Sequence, residues 1–179
     1  MLKKTLAIGA ALVLTTSVAA ATPAPYIGAS VGINTNTSNN TTNGAPGYYR
    51  GVPIKVFAGY GGEVSDSIYL AAELIGTAVS GEISNQGQMR STYGYGISLI
   101  PGVELSDHTM IYARAGFVRT RFSNVMAMTS GGEFGIGLQT ALTQNVDVRG
   151  EYDYTAYRDV GGISAPHSDA FDLGVIYKF

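Results

Sequence analysis

Glu151 and Asp153 lie two residues apart, and Arg149 stands two residues before them. Carboxylates at that spacing share one face of a strand, where they could divide acid and base roles. The cation on the same face argues for a different use, an ion-pair network. His167, Ser168 and Asp169 are consecutive and supply the residue types of a hydrolytic triad. Neighbouring strand residues point to opposite faces, so these three alone do not converge. His108 falls in a short turn. Gly59-Tyr60-Gly61-Gly62 and Gly132-Glu133-Phe134-Gly135-Ile136-Gly137 have the spacing of phosphate loops, but neither opens a helix in a βαβ unit. The absence of Cys excludes a disulfide framework, a thiolate metal site and a thiol nucleophile. No cofactor or metal motif is present, and the residues predict no catalytic centre.

The elements that carry these residues alternate with period two behind Pro25. Ile27, Ala29, Val31 and Ile33 share one face of the first segment; Tyr26, Gly28, Ser30, Gly32 and Asn34 share the other. The same pattern recurs through segments centred on Val56, Leu74, Ile97, Ala115, Ile136, Val148 and Val175. The second is expected to begin near Pro53, which has no N–H for a ladder. The fourth and sixth fit less cleanly, at Pro101 and Thr140. Eight segments leave about 20 residues for each strand and its connection, as an antiparallel meander requires. Short turns are expected near Glu63–Ser67, Ser106–Thr109 and Thr143–Asn145. Longer linkers are expected near Thr35–Gly47, Gly81–Arg90, Asn124–Ser130 and Asp159–His167. Long and short connections at opposite ends are a property of outer-membrane barrels.

Composition separates the two ways of closing such a sheet. Only 13% of residues are charged and 24 are Gly, whereas soluble domains carry about 25% charge. An apolar-inside, lipocalin-like barrel would need a densely charged outer face. Here one face is apolar and nearly free of charge. The other mixes Gly with isolated charges: Lys55, Glu73, Glu104, Arg114, Glu133, Arg149, Glu151, Asp153, Asp172 and Lys178. Glycine suits the narrow interior of an eight-stranded barrel, and charges of both signs can pair there. The lumen pairing is expected to centre on Lys55, Glu73, Arg114, Glu133, Arg149, Glu151 and Asp153. Ten residues at about 3.4 Å rise and about 40° tilt span about 26 Å, close to the apolar band of such barrels. On the apolar face Tyr95, Tyr154 and Phe171 lie toward the long-loop end, and Tyr60, Tyr177 and Phe179 toward the short-turn end. They read as two aromatic girdles.

The first 21 residues stand outside this pattern. Lys3 and Lys4 precede an apolar run from Leu6 to Leu14, and Ser17-Val18-Ala19-Ala20-Ala21 follows. The segment reads as a signal peptide, cut after Ala20 or Ala21, with residues 22–179 forming the barrel domain. The run is too short for a membrane-spanning helix. A net charge of -2 excludes a basic nucleic-acid surface.

Phe171, Leu173, Val175, Tyr177 and Phe179 place an apolar side chain at every second position up to the chain end. This resembles the C-terminal signal read by the outer-membrane assembly machinery. With the signal peptide and the alternation, the chain from Tyr26-Ile27-Gly28-Ala29-Ser30-Val31-Gly32 to Phe179 resembles the eight-stranded outer-membrane β-barrel family. That family includes the OmpA membrane domain, OmpX and the opacity-type surface proteins. The resemblance implies an all-β, antiparallel up-and-down barrel in a Gram-negative outer membrane, with short periplasmic turns and longer extracellular loops. It implies a monomeric, non-enzymatic structural or surface-interaction protein of adhesin or antigen type, embedded in lipid and lipopolysaccharide.

Three further expectations follow. Arg119 and Arg121 fall on the apolar face at the outer rim, either where the strand has left the membrane or in contact with lipopolysaccharide phosphates. Asn34–Gly44 is uncharged and rich in Asn and Thr, which predicts a solvated surface loop available to a host or surface ligand. Two other functions are available to this architecture. One is a small or gated pore, although eight strands leave a lumen filled by side chains. The other is lipid A modification, for which His167, Ser168 and Asp169 are the residues to place.

Overall fold

The computed structural model describes residues 23–38, 47–86, 90–122, 127–159 and 164–179. The segment read as a signal peptide lies outside them. Eight antiparallel strands run in chain order: β1 Ala24–Ser38, β2 Gly47–Ser65, β3 Ile68–Gln86, β4 Ser91–Ser106, β5 Thr109–Phe122, β6 Ala127–Ala141, β7 Val146–Tyr157 and β8 His167–Lys178. Each pairs with the next, and β8 pairs with β1, so the sheet closes without an edge. The Phe179 amide donates to the Pro25 carbonyl at 3.2 Å, joining the two ends of the described chain at the short-turn end.

The alternation decides what each face meets. Ile27, Val31, Ile54, Val56, Leu74, Ile97, Leu99, Phe134, Ile136, Leu173 and Val175 lie exposed on the outer wall. An apolar surface of that extent is unfavourable in water, and in lipid it is the wall that partitions. Closure satisfies the backbone polar groups that lipid cannot. Tyr95, Tyr154, Phe171, Tyr60, Tyr177 and Phe179 are all exposed on this wall, and the Tyr177 and Phe179 rings meet edge to face at 5.2 Å. Pro101 and Thr140 take their places in an unbroken alternation. The Thr140 hydroxyl lies 3.0 Å from that of Thr109 and donates to the His108 carbonyl at 3.1 Å.

The turns at the periplasmic end are tight. Asp66 and Ser67 alone separate β2 from β3, and Ser67 takes φ 64°. At the other end the strands run further than the sequence suggests. β1 continues through Ser38, β3 through Gln86, and β6 begins at Ala127. Thr35–Ser38, Gly81–Gln86 and Ala127–Ser130 therefore belong to strands and not to linkers. Asn34, Asn36 and Ser38 point inward and are buried, which corrects the reading of Asn34–Gly44 as one solvated loop. Residues 39–46 lie outside the described segments. The physical reason is that polar side chains on an inner face fit a polar lumen as well as they fit water. Pro53 also departs from expectation. It lies within β2, at a register shift between Val52 and Pro53. Pro53 pairs with Val79 of β3, whereas on the β1 side the ladder passes from Val31↔Ile54 to Asn34↔Gly51 and skips Pro53, so the missing N–H falls where no ladder pair is made.

Candidate functional sites: an ion-paired lumen and an arginine-bearing rim

The lumen holds its charges at mid-height. Glu73 on β3 accepts from Arg114 on β5 through Oε2 at 2.8 Å and from Arg149 on β7 through Oε1 at 2.7 Å. Arg114 also donates to Glu151 at 2.9 Å. Lys55 on β2 bridges Asp153 at 2.5 Å and Asp172 at 2.7 Å. Glu133 stands at the edge of this arrangement. Its Oε1 lies 4.0 Å from the Arg114 Nε and 3.5 Å from the Ser98 hydroxyl. The structure thus brings Lys55, Glu73, Arg114, Glu133, Arg149, Glu151 and Asp153 together inside the barrel. Taking charged groups out of water costs several kcal/mol each, and the multiple short contacts offset that cost.

Several members of the cluster were not singled out in the sequence. Tyr26 donates to Glu73 at 2.9 Å and Tyr112 to Glu151 at 2.6 Å. Phe57 and Tyr112 sandwich the Arg149 guanidinium, each ring centroid 4.9 Å from its central carbon. Gln139 accepts from Arg149 at 3.0 Å and donates to Asp147 at 2.7 Å; Asp147 meets Lys178 at 2.9 Å near the periplasmic mouth. The available signal was glycine. Tyr26 faces Gly59 and Tyr112 faces Gly137 across the ladder. A Cβ at either glycine would run into the tyrosine ring. These two close approaches let the rings lie flat against the inner wall and aim their hydroxyls at the carboxylates.

The open space in the lumen is divided. A cavity of about 60 Å³ lies above the cluster, near Asn34, Lys55, Asp153 and Tyr157. A vestibule of about 220 Å³ opens at the periplasmic end near Glu63, Glu104, His108 and Lys178. Beside Arg114, Arg149 and Lys55 the space shrinks to about 10 Å³, no more than one water needs. Toward the outer mouth, Tyr49 and Phe122 are fully buried, and Phe122 meets Tyr157 edge to face at 5.3 Å.

The outer rim carries different chemistry. Ser168 is buried in the lumen, while His167 and Asp169 lie on the outward side of β8. His167 stacks on Tyr154 at 5.8 Å, and Asp169 accepts from the Tyr152 hydroxyl at 2.5 Å. The barrel wall therefore separates Ser168 from the other two. Arg119 and Arg121 point outward from β5, opposite Tyr95 and Tyr93 of β4. Phe171, Leu173, Val175, Tyr177 and Phe179 form one outward row along β8, from the outer side down to the short-turn end.

A family model for the outer membrane protein β-barrel domain matches residues 6–179. The chain belongs to this family. Among solved structures, Neisserial surface protein A is similar with a TM-score of 0.59 and 19% identity, covering 87% of this chain and 97% of that one. The attachment invasion locus protein Ail of Yersinia pestis is similar with a TM-score of 0.49 and 15% identity, over 87% and 99% of the two chains. None of the curated proteins matches the chain. Family and fold together place this barrel in the outer membrane of a Gram-negative bacterium.

Proposed function

We propose that this outer-membrane barrel is a monomeric, non-enzymatic surface-interaction protein that presents its extracellular loops from a rigid, closed stem. One observation carries the reading. β2 and β3 are each 19 residues long, about 50 Å along the barrel axis at about 40° tilt, against an apolar band of about 25 Å. The surplus lies at the outer end, where Ser38 leads toward Gly47. A stem that carries its loops well above the lipid favours contact with another surface. The interrupted lumen favours that role over conduction. The similarity to Neisserial surface protein A, itself named as a surface protein, supports a surface role.

The loops would carry an adhesive or antigenic contact, and β8 would carry assembly through Phe179 and the row before it. Export would follow cleavage after Ala20 or Ala21. The test is an antibody raised against a peptide of residues 39–46, applied to intact cells. Surface staining is expected, together with loss of adhesion to a host-cell or glycan-coated surface when residues 39–46 are replaced by a short Gly-Ser turn. The replacement must keep the gel mobility shift of a folded barrel. Unchanged adhesion by every such loop replacement would remove the adhesive reading.

A further inference from the structure

The charges at mid-height in the lumen do not balance. Among the described residues Glu73, Glu133, Glu151, Asp153 and Asp172 bring five carboxylates there, and Lys55, Arg114 and Arg149 bring three cations. Both arginines are engaged by the lower carboxylates: Arg149 by Glu73, and Arg114 by Glu73 and Glu151. Lys55 is shared between Asp153 and Asp172. Glu133 has only the Arg114 Nε, at 4.0 Å. The missing positive charge therefore belongs on the upper side of the cluster, beside the cavity of about 60 Å³.

The register gathers oxygen atoms around one small residue of that cavity. Asn34 on β1 and Asp153 on β7 are both opposite Ala170 on β8, roughly 10 Å apart at two inter-strand spacings. In the next inward row toward the outer end, Thr155 is opposite both Ser168 of β8 and Glu133 of β6. All six residues line the cavity. The Asn34 amide nitrogen donates to Asn36 at 3.3 Å and to Ser91 at 3.4 Å, and its Oδ1 has no donor. Asp153 holds Lys55 through Oδ2, while its Oδ1 has no hydrogen-bond donor and lies 3.7 Å from the Arg114 Nε. Asn34 is 7% exposed and Asp153 is 2% exposed. A buried acceptor left unmet costs about 1–3 kcal/mol, more when it is charged. Two of them stand on either side of Ala170, whose methyl group leaves the space between them open.

We propose that the upper lumen binds a hard monovalent cation, of the sodium or potassium class, between Asn34, Asp153 and Glu133. The Asn34 carbonyl and the two carboxylates are its protein ligands, the Thr155 and Ser168 hydroxyls border it, and the cavity has room for water to complete its shell. Hard cations take oxygen ligands of these kinds. The Lys55 ammonium at the other oxygen of Asp153 selects the lower charge, because its repulsion is twice as large for a divalent ion. The ligands come from β1, β6 and β7 on both sides of β8, so the ion holds together the seam where the last strand closes on the first. The site concerns the stem and not the adhesive reading of the loops, so either can fail alone.

The test refolds the full barrel into phosphatidylcholine vesicles and reads its urea midpoint by the gel shift, in sodium, potassium or N-methylglucamine chloride at equal ionic strength. N-Methylglucamine is too large for the cavity and matches the screening of the other salts. The parent midpoint is expected to be higher in sodium or potassium and to climb with the concentration of the preferred ion, because a ligand bound only by the folded state stabilises it. Asn34→Leu removes one oxygen ligand, Glu133→Gln removes a charge, and Ala170→Val fills the gap while keeping every ligand. Each is expected to abolish the difference between salts, and any one that folds suffices for the test. Asp147→Asn, at the periplasmic end, is expected to lower every midpoint and keep the difference. Equal parent midpoints in the three salts would overturn the site, as would a difference that survives in folded Asn34→Leu or Ala170→Val. A rise produced by millimolar calcium, and lost in the same variants, would overturn the monovalent assignment.

Discussion

Glu73 is the carboxylate on which two arginines converge, with Arg114 on one oxygen and Arg149 on the other. It is almost fully buried. Glu73→Ala would leave both cations short of a partner, and breaking a buried pair from one side costs about 3–5 kcal/mol. The expected result is a lowered urea midpoint in lipid vesicles, read by the gel shift between folded and unfolded barrel because the chain has no Trp. A variant within about 1 kcal/mol of the parent would mean that the network contributes little to stability. Gly137 makes a second residue-scale prediction. An added methyl must displace the Tyr112 ring and with it the hydroxyl that meets Glu151. Gly137→Ala is expected to cost about 1–3 kcal/mol by the same measurement. Gly132→Ala, with room for its Cβ on the outer wall, is expected to be close to neutral.

At the scale of the strand, the periplasmic hairpins and β8 are where a change acts on assembly as well as on stability. Ser67 holds a left-handed backbone angle in a two-residue turn. Ser67→Val is expected to destabilise the β2–β3 hairpin by about 1–2 kcal/mol, since a β-branched side chain crowds the backbone there. Slower folding into vesicles after dilution from urea would show it. Phe179 packs edge to face on Tyr177 at the lipid boundary. Its deletion is expected to reduce the outer-membrane fraction carrying the heat-modifiable band, and normal insertion of the shortened chain would count against a role in assembly. The strand scale also shows where the sequence was hard to read. Asn34, Asn36 and Ser38 look like loop residues by type, yet they extend β1 and point inward, where Asn36 donates to the Ser91 hydroxyl at 3.0 Å. Polarity marks a water-facing loop and a polar lumen in the same way, so strand ends on the inner face carry no compositional boundary.

For the whole molecule, the division of the lumen into a small upper cavity, a mid-height constriction and a periplasmic vestibule leads to a conductance prediction. Planar bilayers containing the parent barrel are expected to show no stable stepped current. Arg114→Ala joined with Arg149→Ala would widen the constriction, and the folded double variant is expected to show a conductance that the parent lacks. A large, stable conductance of the parent would mean that the constriction opens in the membrane.

Period-two alternation by itself determined the number of strands, their direction through the chain and the face on which each charge lies, because the pleat sends successive side chains to opposite sides. Low charge and abundant Gly became legible as one lipid-facing wall and one crowded interior. What alternation cannot specify is which inward residue meets which. Glu73 and Arg149 are 76 positions apart and Lys55 and Asp153 are 98, and no local signal links them. Their meeting follows from closure of β8 on β1 and from the register of every ladder between, which together fix the height and azimuth of each side chain. The same closure sets Asn34 and Asp153 on either side of Ala170, a neighbourhood that exists only once β1 and β7 are laid against β8.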